Sequence, residues 1–114
     1  MSNERAETGR RELVDRDGAV LGELQDLPVG DSYRRNVDLG FNRSFRLVPT
    51  PEFQKHRLLF DRFRLSGFDH VGLKREIREN YRIREPDGRE WRPMIFVLEI
   101  DLRGKVRGGP SLTG

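Results

Sequence analysis

The residues of this chain best equipped for chemistry are its arginines. Of 22 Lys and Arg residues, 19 are Arg, and most stand beside an aromatic ring or an acid. The recurrent words are Tyr33-Arg34-Arg35, Phe41-Asn42-Arg43-Ser44-Phe45-Arg46, Asp61-Arg62-Phe63-Arg64, Tyr81-Arg82-Ile83-Arg84 and Trp91-Arg92. A guanidinium is planar and permanently charged. It grips carboxylate or phosphate through a two-pronged fork and stacks on aromatic faces. That chemistry is contact with a flat or anionic partner rather than bond making. A GC-rich coding sequence also favours Arg codons and gives a compositional reason for the same bias.

Catalysis has little to build on. There is no Cys, which removes disulfides, thiol nucleophiles and Cys-based zinc sites. His56 and His70 are the only histidines, and Asp69 and His70 are sequence neighbours whose side chains do not converge on one ion. Ser44, Ser66 and Ser111 lack the Gly-x-Ser-x-Gly elbow. There is no Gly-x-x-x-x-Gly-Lys loop, and Gly108-Gly109 lies near the chain end. The acids form no recognisable acid/base pair. The expectation is a protein that is not an enzyme and that uses no cofactor and no metal.

Two arrangements of cations suit nucleic acid. Lys74 and Arg78 stand at i,i+4 with Arg75 beside them, away from the apolar stripe of Leu73 and Ile77. A basic helix followed by a hairpin with Arg84, Arg89 and Arg92 resembles the recognition helix and wing of a winged helix-turn-helix. The resemblance implies a helix in the major groove and a wing on the phosphate backbone. Against it, Glu76, Glu79, Glu85 and Glu90 interleave with the bases, and the N-terminal part reads as strands. The plainer reading is a solvated helix face with internal ion pairs. The second arrangement stacks bases on exposed rings, with Tyr33, Phe41 and Tyr81 as candidates. In a chain this poor in apolar residues most rings are needed in the core.

The elements that must position these groups follow from spacing and turn chemistry. Residues 1–11 read as a flexible arm. Leu13 and Val14, then Asp17-Gly18, then Val20, Leu21 and Leu24 predict a hairpin over 12–24, because Asp-Gly supplies the positive φ of a tight turn. The segment from Leu13 to Leu24 is similar to the opening hairpin of PRC-barrel domains; it spans about a tenth of the chain, and no later segment continues the likeness. Leu27 to Ser32 reads as a turn around Pro28 and Gly30, and Tyr33 to Val48 as extended. Phe41, Arg43, Phe45 and Leu47 share one face there, so Arg43 must snorkel or pair with an acid. Thr50-Pro51-Glu52 starts a helix carrying Phe53, His56, Phe60 and Phe63, and Ser66-Gly67 breaks it. Asp69 is placed to cap a second helix through Asn80, with Leu73, Ile77 and Tyr81 as its stripe. Tyr81–Ile83 and Trp91–Leu102 read as two strands joined at Glu85-Pro86-Asp87-Gly88. Residues 104–114 read as a flexible basic tail.

The expectation is therefore one α+β domain over residues 12–103. It comprises a small antiparallel sheet of two hairpins and an extended middle strand, two short helices, and flexible arms at 1–11 and 104–114. Hydrophobic residues make up 34% and charged residues 36%, so a modest core carries a heavily charged surface. The net charge of +3 is small for a dedicated nucleic-acid binder. No signal-peptide core precedes Arg11, and the longest apolar run, Met94 to Leu98, is far short of a membrane span. These features predict a soluble protein in the cytoplasm or within a particle assembled there. Its expected role is a structural, non-catalytic subunit of a larger protein assembly, such as an accessory component of a phage-like particle. Arg62, Arg64, Trp91 and Arg92 are the candidate contact residues, because Arg and Trp anchor interfaces. The alternative is a nucleic-acid-binding module using Lys74, Arg75, Arg78 and Arg89.

Overall fold

Asp17-Gly18 makes the first turn. Gly18 takes φ +88° and its N–H donates to the Asp15 carbonyl at 3.0 Å. The Asp15 carboxylate accepts the N–H groups of Asp17 and Ala19, both at 2.9 Å. This Asx-type closure joins β1 (Arg11–Asp15) to β2 (Val20–Asp26). A bulge between Leu13 and Val14 shifts the register. The computed structural model describes residues 10–27 and 43–109. Residues 1–9 of the expected arm (1–11), 28–32 of the expected turn, 33–42 of the expected extended segment and 110–114 of the expected tail (104–114) lie outside the described residues, whereas Arg11, expected in the arm, opens β1.

Five further strands complete one antiparallel sheet: β3 (Arg43–Pro49), β4 (Tyr81–Arg84), β5 (Glu90–Trp91), β6 (Ile95–Leu98) and β7 (Arg103–Arg107). The order is β5-β4-β1-β2-β3-β7-β6. The class is α+β, as expected. The two edge strands, β5 and β6, are neighbours in sequence, joined only by residues 92–94. Four residue steps reach at most about 14 Å, so the sheet must curl until its edges approach. One contact marks the closure: a Cβ on Gly108, just past β7, would stand 3.2 Å from the Trp91 ring on β5. The Met94 N–H donates to the Arg107 carbonyl at 2.9 Å and extends the β6–β7 ladder into the link.

Register fixes the inner face. Leu13 opposes Gly22 and Ile83, and Ile83 opposes Trp91. Leu24 opposes Leu47, Phe45 opposes Gly104, and Phe96 opposes Val106. All these apolar side chains are buried in one cluster. Gly22 and Gly104 face inward where any side chain would collide: a Cβ on Gly104 would overlap the Val97 carbonyl and sit 2.8 Å from the Phe45 ring.

Helices cover the remaining opening. Thr50 precedes a 3₁₀ turn, Pro51–Lys55, and then α1 (Arg57–Leu65). Thr50 does not cap this turn with its side chain; its hydroxyl donates to the Val20 carbonyl at 2.7 Å and ties the turn to β2. Phe60 of α1 lies 5.0 Å from the Tyr81 ring on β4 and 5.7 Å from Phe96 on β6, so it spans the two sides of the curl. Burying such a ring contributes roughly 1.5–3 kcal/mol. The helix ends in a Schellman motif: Phe68 N–H bonds Phe63 O at 3.0 Å and Gly67 N–H bonds Arg64 O at 2.9 Å, with Gly67 at φ +75°. The Phe63 and Phe68 rings meet at 5.5 Å, which supplies the apolar contact of that motif.

Three further expectations change. The second helix, α2 (Val71–Asn80), is capped by His70, whose Nδ1 accepts the Leu73 N–H at 3.1 Å, and not by Asp69. The expected strand 91–102 is divided: Pro93 interrupts the ladder, and Leu102 at φ +67° closes a turn through its N–H to the Glu99 carbonyl at 3.0 Å. Residues 104–107, expected in the tail, form β7 and pair with both β3 and β6. Arg103-Gly104-Lys105-Val106-Arg107 alternates long cations with a glycine and a valine that fit the inner face.

Candidate functional site

Two polar clusters sit within the curl. The first is centred on Glu85, just past β4 and 7% exposed. Arg11 Nε donates to both Glu85 oxygens at 3.1 Å, and Arg11 also bonds Asp26 at 2.7 Å. Trp91 Nε1 donates to Glu85 Oε2 at 2.7 Å, and Arg43 approaches that oxygen at 3.5 Å. Burial alone would push the Glu85 carboxyl up. The Arg11 and Trp91 hydrogen bonds, with the charges of Arg11 and Arg43, outweigh burial and hold it below the ordinary range. Burial lowers Arg11, and its bonds to Glu85 and Asp26 outweigh that and raise it. The Glu85 carboxylate joins β1, β3 and β5, and Arg11 extends the cluster to Asp26 of β2. It also answers the question posed by Arg43, which pairs with an acid.

The second cluster joins Asp15, His56 and Tyr81. Tyr81 OH lies 2.7 Å from His56 Nδ1, and His56 Nε2 lies 3.6 Å from Asp15 Oδ2. Burial first, then the charges of Glu76 and Asp15, push the Tyr81 phenol up to about 12. At neutral pH it is therefore protonated while hydrogen-bonded to His56. An acid, an imidazole and a phenol in a row can relay a proton, but Tyr81 is only 3% exposed, which leaves a substrate little access. The trio ties the end of β1, the residue before α1 and the start of β4. Among the described residues, no group of three or more His, Asp or Glu is placed to hold a metal ion.

Surface features differ around the molecule. On the outer sheet face of β1, β4 and β5, charges pair off: Arg84 bonds Glu90 at 3.0 Å and Glu12 at 3.4 Å, and Arg82 meets Glu90 at 3.6 Å. On α1, Leu58 and Leu65 are 68% and 76% exposed, with Arg62 exposed between them at i+4. They lie opposite buried Phe60 and Phe63.

The sequence candidates scatter. Arg62 sits within that exposed apolar stripe. Arg64, one helix step round, is half-buried and bonds Asp61 at 3.3 Å. Arg92 is exposed on the β5–β6 link. Trp91 is 7% exposed, its ring in the core and its N–H spent on Glu85, so it is a framework residue and presents no anchor. Lys74, Arg75 and Arg78 lie on α2, whereas Arg89 is held by Asp87 of its own turn at 2.7 Å. The hairpin expected as a wing is drawn into the sheet, where β4 pairs with β1. Tyr81 is buried, and Tyr33 and Phe41 lie outside the described residues. Sequence reasoning missed Leu58 and Leu65, whose i,i+7 spacing on a helix already containing its core rings was the available signal.

No protein family, no curated protein and no solved structure matches this chain. No helix among the described residues is long and apolar enough to cross a membrane.

Proposed function

We propose that this protein is a non-catalytic interaction protein, a small subunit of a larger protein assembly, and that the outer face of α1 is its contact surface. The observation that supports this reading is the exposure of Leu58 and Leu65 on either side of Arg62. Two large aliphatic side chains on one helix face, opposite a satisfied core face, gain by being covered. An Arg between them supplies directional bonds to a partner carboxylate or carbonyl, and Arg is enriched among interface anchors. Both histidines and the buried acids Asp15 and Glu85 hold structure in this fold, which supports a role without catalysis. In this reading the partners are protein subunits, including further copies of this chain, and the setting is a particle assembled in the cytoplasm.

Sedimentation of the wild type and of a Leu58→Asp/Leu65→Asp variant tests the reading. The wild-type mass should rise with concentration and the variant should remain a monomer with unchanged circular dichroism. A variant that assembles like the wild type overturns the α1 surface. A wild type that is monomeric at every concentration overturns self-assembly.

A further inference from the structure

The outer face of the sheet is divided electrically: cations of β4 are paired with acids, those of β3 and β7 largely are not. In β3, the buried Phe45 and Leu47 fix Arg46 outward; in β7, the buried Gly104 and Val106 fix Arg103, Lys105 and Arg107 outward. The ladder places Arg46 directly opposite Arg103, and Ser44 opposite Lys105. Like charges directly opposed across a ladder are destabilising, yet the acids here do not neutralise the strip. Asp101 holds Arg103 at 2.7 Å. Glu23 faces Val48 one step further along the sheet, and Gln25, uncharged, faces Arg46. Arg46, Lys105 and Arg107 make no ion pair among the described residues, whereas every outward cation of β4 does.

We infer that the outer face of β3 and β7 binds the phosphate backbone of single-stranded nucleic acid, through Arg46, Lys105 and Arg107. Alternate residues of an extended strand repeat at about 6.6 Å, so β7 presents its cations as a line that a single strand, with one phosphate per nucleotide, can follow. Arg46 widens the line by one strand. No aromatic side chain is exposed among the described residues of this face, so the contacts it offers are to phosphate and carry no sequence readout. This is a different surface from the α2 cations Lys74, Arg75 and Arg78.

The test is fluorescence anisotropy of a labelled oligouridylate with the full chain across a salt series. Each phosphate contact on a single strand contributes a slope of about −0.7 in log K against log salt, so three contacts predict about −2. The variant Arg46→Ala/Lys105→Ala/Arg107→Ala should lose most of that slope and at least about tenfold in affinity at low salt. The charge-preserving Arg46→Lys/Arg107→Lys should retain the slope, which separates lost charge from lost fold. The variant Lys74→Ala/Arg75→Ala/Arg78→Ala should bind as the wild type does. The inference is overturned if the wild type does not bind at low salt, or if the β3–β7 variant keeps the wild-type slope. It is equally overturned if the α2 variant abolishes binding, or if a duplex of the same length binds more tightly than the single strand.

Discussion

Trp91 donates its indole N–H to Glu85 at 2.7 Å, and both side chains are 7% exposed. The bond crosses the β4–β5 turn and points an acid inward beneath a two-residue strand. Glu85 then collects Arg11 from β1 and Arg43 from β3. A buried carboxylate with every oxygen bonded is tolerated; the same carboxylate with a partner removed is costly. Trp91→Phe keeps the ring and deletes the donor. It should cost about 1.5–3 kcal/mol, the range for a hydrogen bond to a charged group. Urea titration measures this. Since the ring is core, sedimentation behaviour of Trp91→Phe should match the wild type. A large change of mass at unchanged stability would restore Trp91 to the contact surface.

The same carboxylate sets an acid limb. Glu85 is held below its ordinary value in the folded chain, so the folded chain gives up this proton more readily than the unfolded chain does. Its contribution is present above the ordinary carboxylate range and disappears as pH falls through the folded value. Glu85→Gln should lower stability at neutral pH and flatten the acid side of a stability–pH curve. An acid limb as steep as that of the wild type would contradict the assignment.

Tyr81 acts at the other extreme. Its phenol is raised to about 12, first by burial and then by Glu76 and Asp15. A raised folded value favours folding while the group is protonated. That contribution is complete below about pH 10, the ordinary tyrosine value, and is lost between there and 12. Stability should therefore fall over that alkaline window, and Tyr81→Phe should remove the fall while costing stability at neutral pH through the lost bond to His56. Difference absorbance of tyrosinate between wild type and variant locates the titration directly. A titration near the ordinary value would contradict the burial.

Gly104 is where the sheet can accept no side chain. A Cβ there meets the Val97 carbonyl and the Phe45 ring. Gly104→Ala should cost at least about 1–3 kcal/mol, as other overpacked positions do. Gly109→Ala, with no heavy atom within 4 Å, is the matched control and should be neutral. Equal melting temperatures for the two would refute the close approach.

Local chemistry was the legible part of the fold. Asp17-Gly18 and Ser66-Gly67 announce turns because only a few residue types take positive φ, and both turns form there. The helical spacing of Phe60 and Phe63 marks the buried face of α1, while Phe53, expected on the same helix, is buried from a separate 3₁₀ turn that ends at Lys55. What the chain does not announce is non-local. Trp91 reads as a surface anchor until its distance to Glu85 is known. Asp15, His56 and Tyr81 are separated by many residues and meet only because β1 pairs with β4. Residues 104–107 look like the start of a tail because a glycine and two cations surround a single valine, too short a stretch to show strand alternation. Their burial depends on β3 and β6, whose pairing no local pattern fixes.

Phe60 and Leu58 stand two residues apart on α1 and should behave oppositely. Phe60 is 2% exposed and contacts Phe53, Tyr81 and Phe96. Phe60→Ala leaves a cavity between the sides of the curl and should cost about 3–5 kcal/mol. Leu58 is 68% exposed, and Leu58→Ala should change stability by less than about 0.5 kcal/mol. If α1 is the contact face, Leu58→Ala should nevertheless weaken assembly measured by sedimentation at a fixed concentration. A stability loss at Leu58 comparable to that at Phe60 would mean that Leu58 belongs to the core, and the contact surface would have to be sought elsewhere.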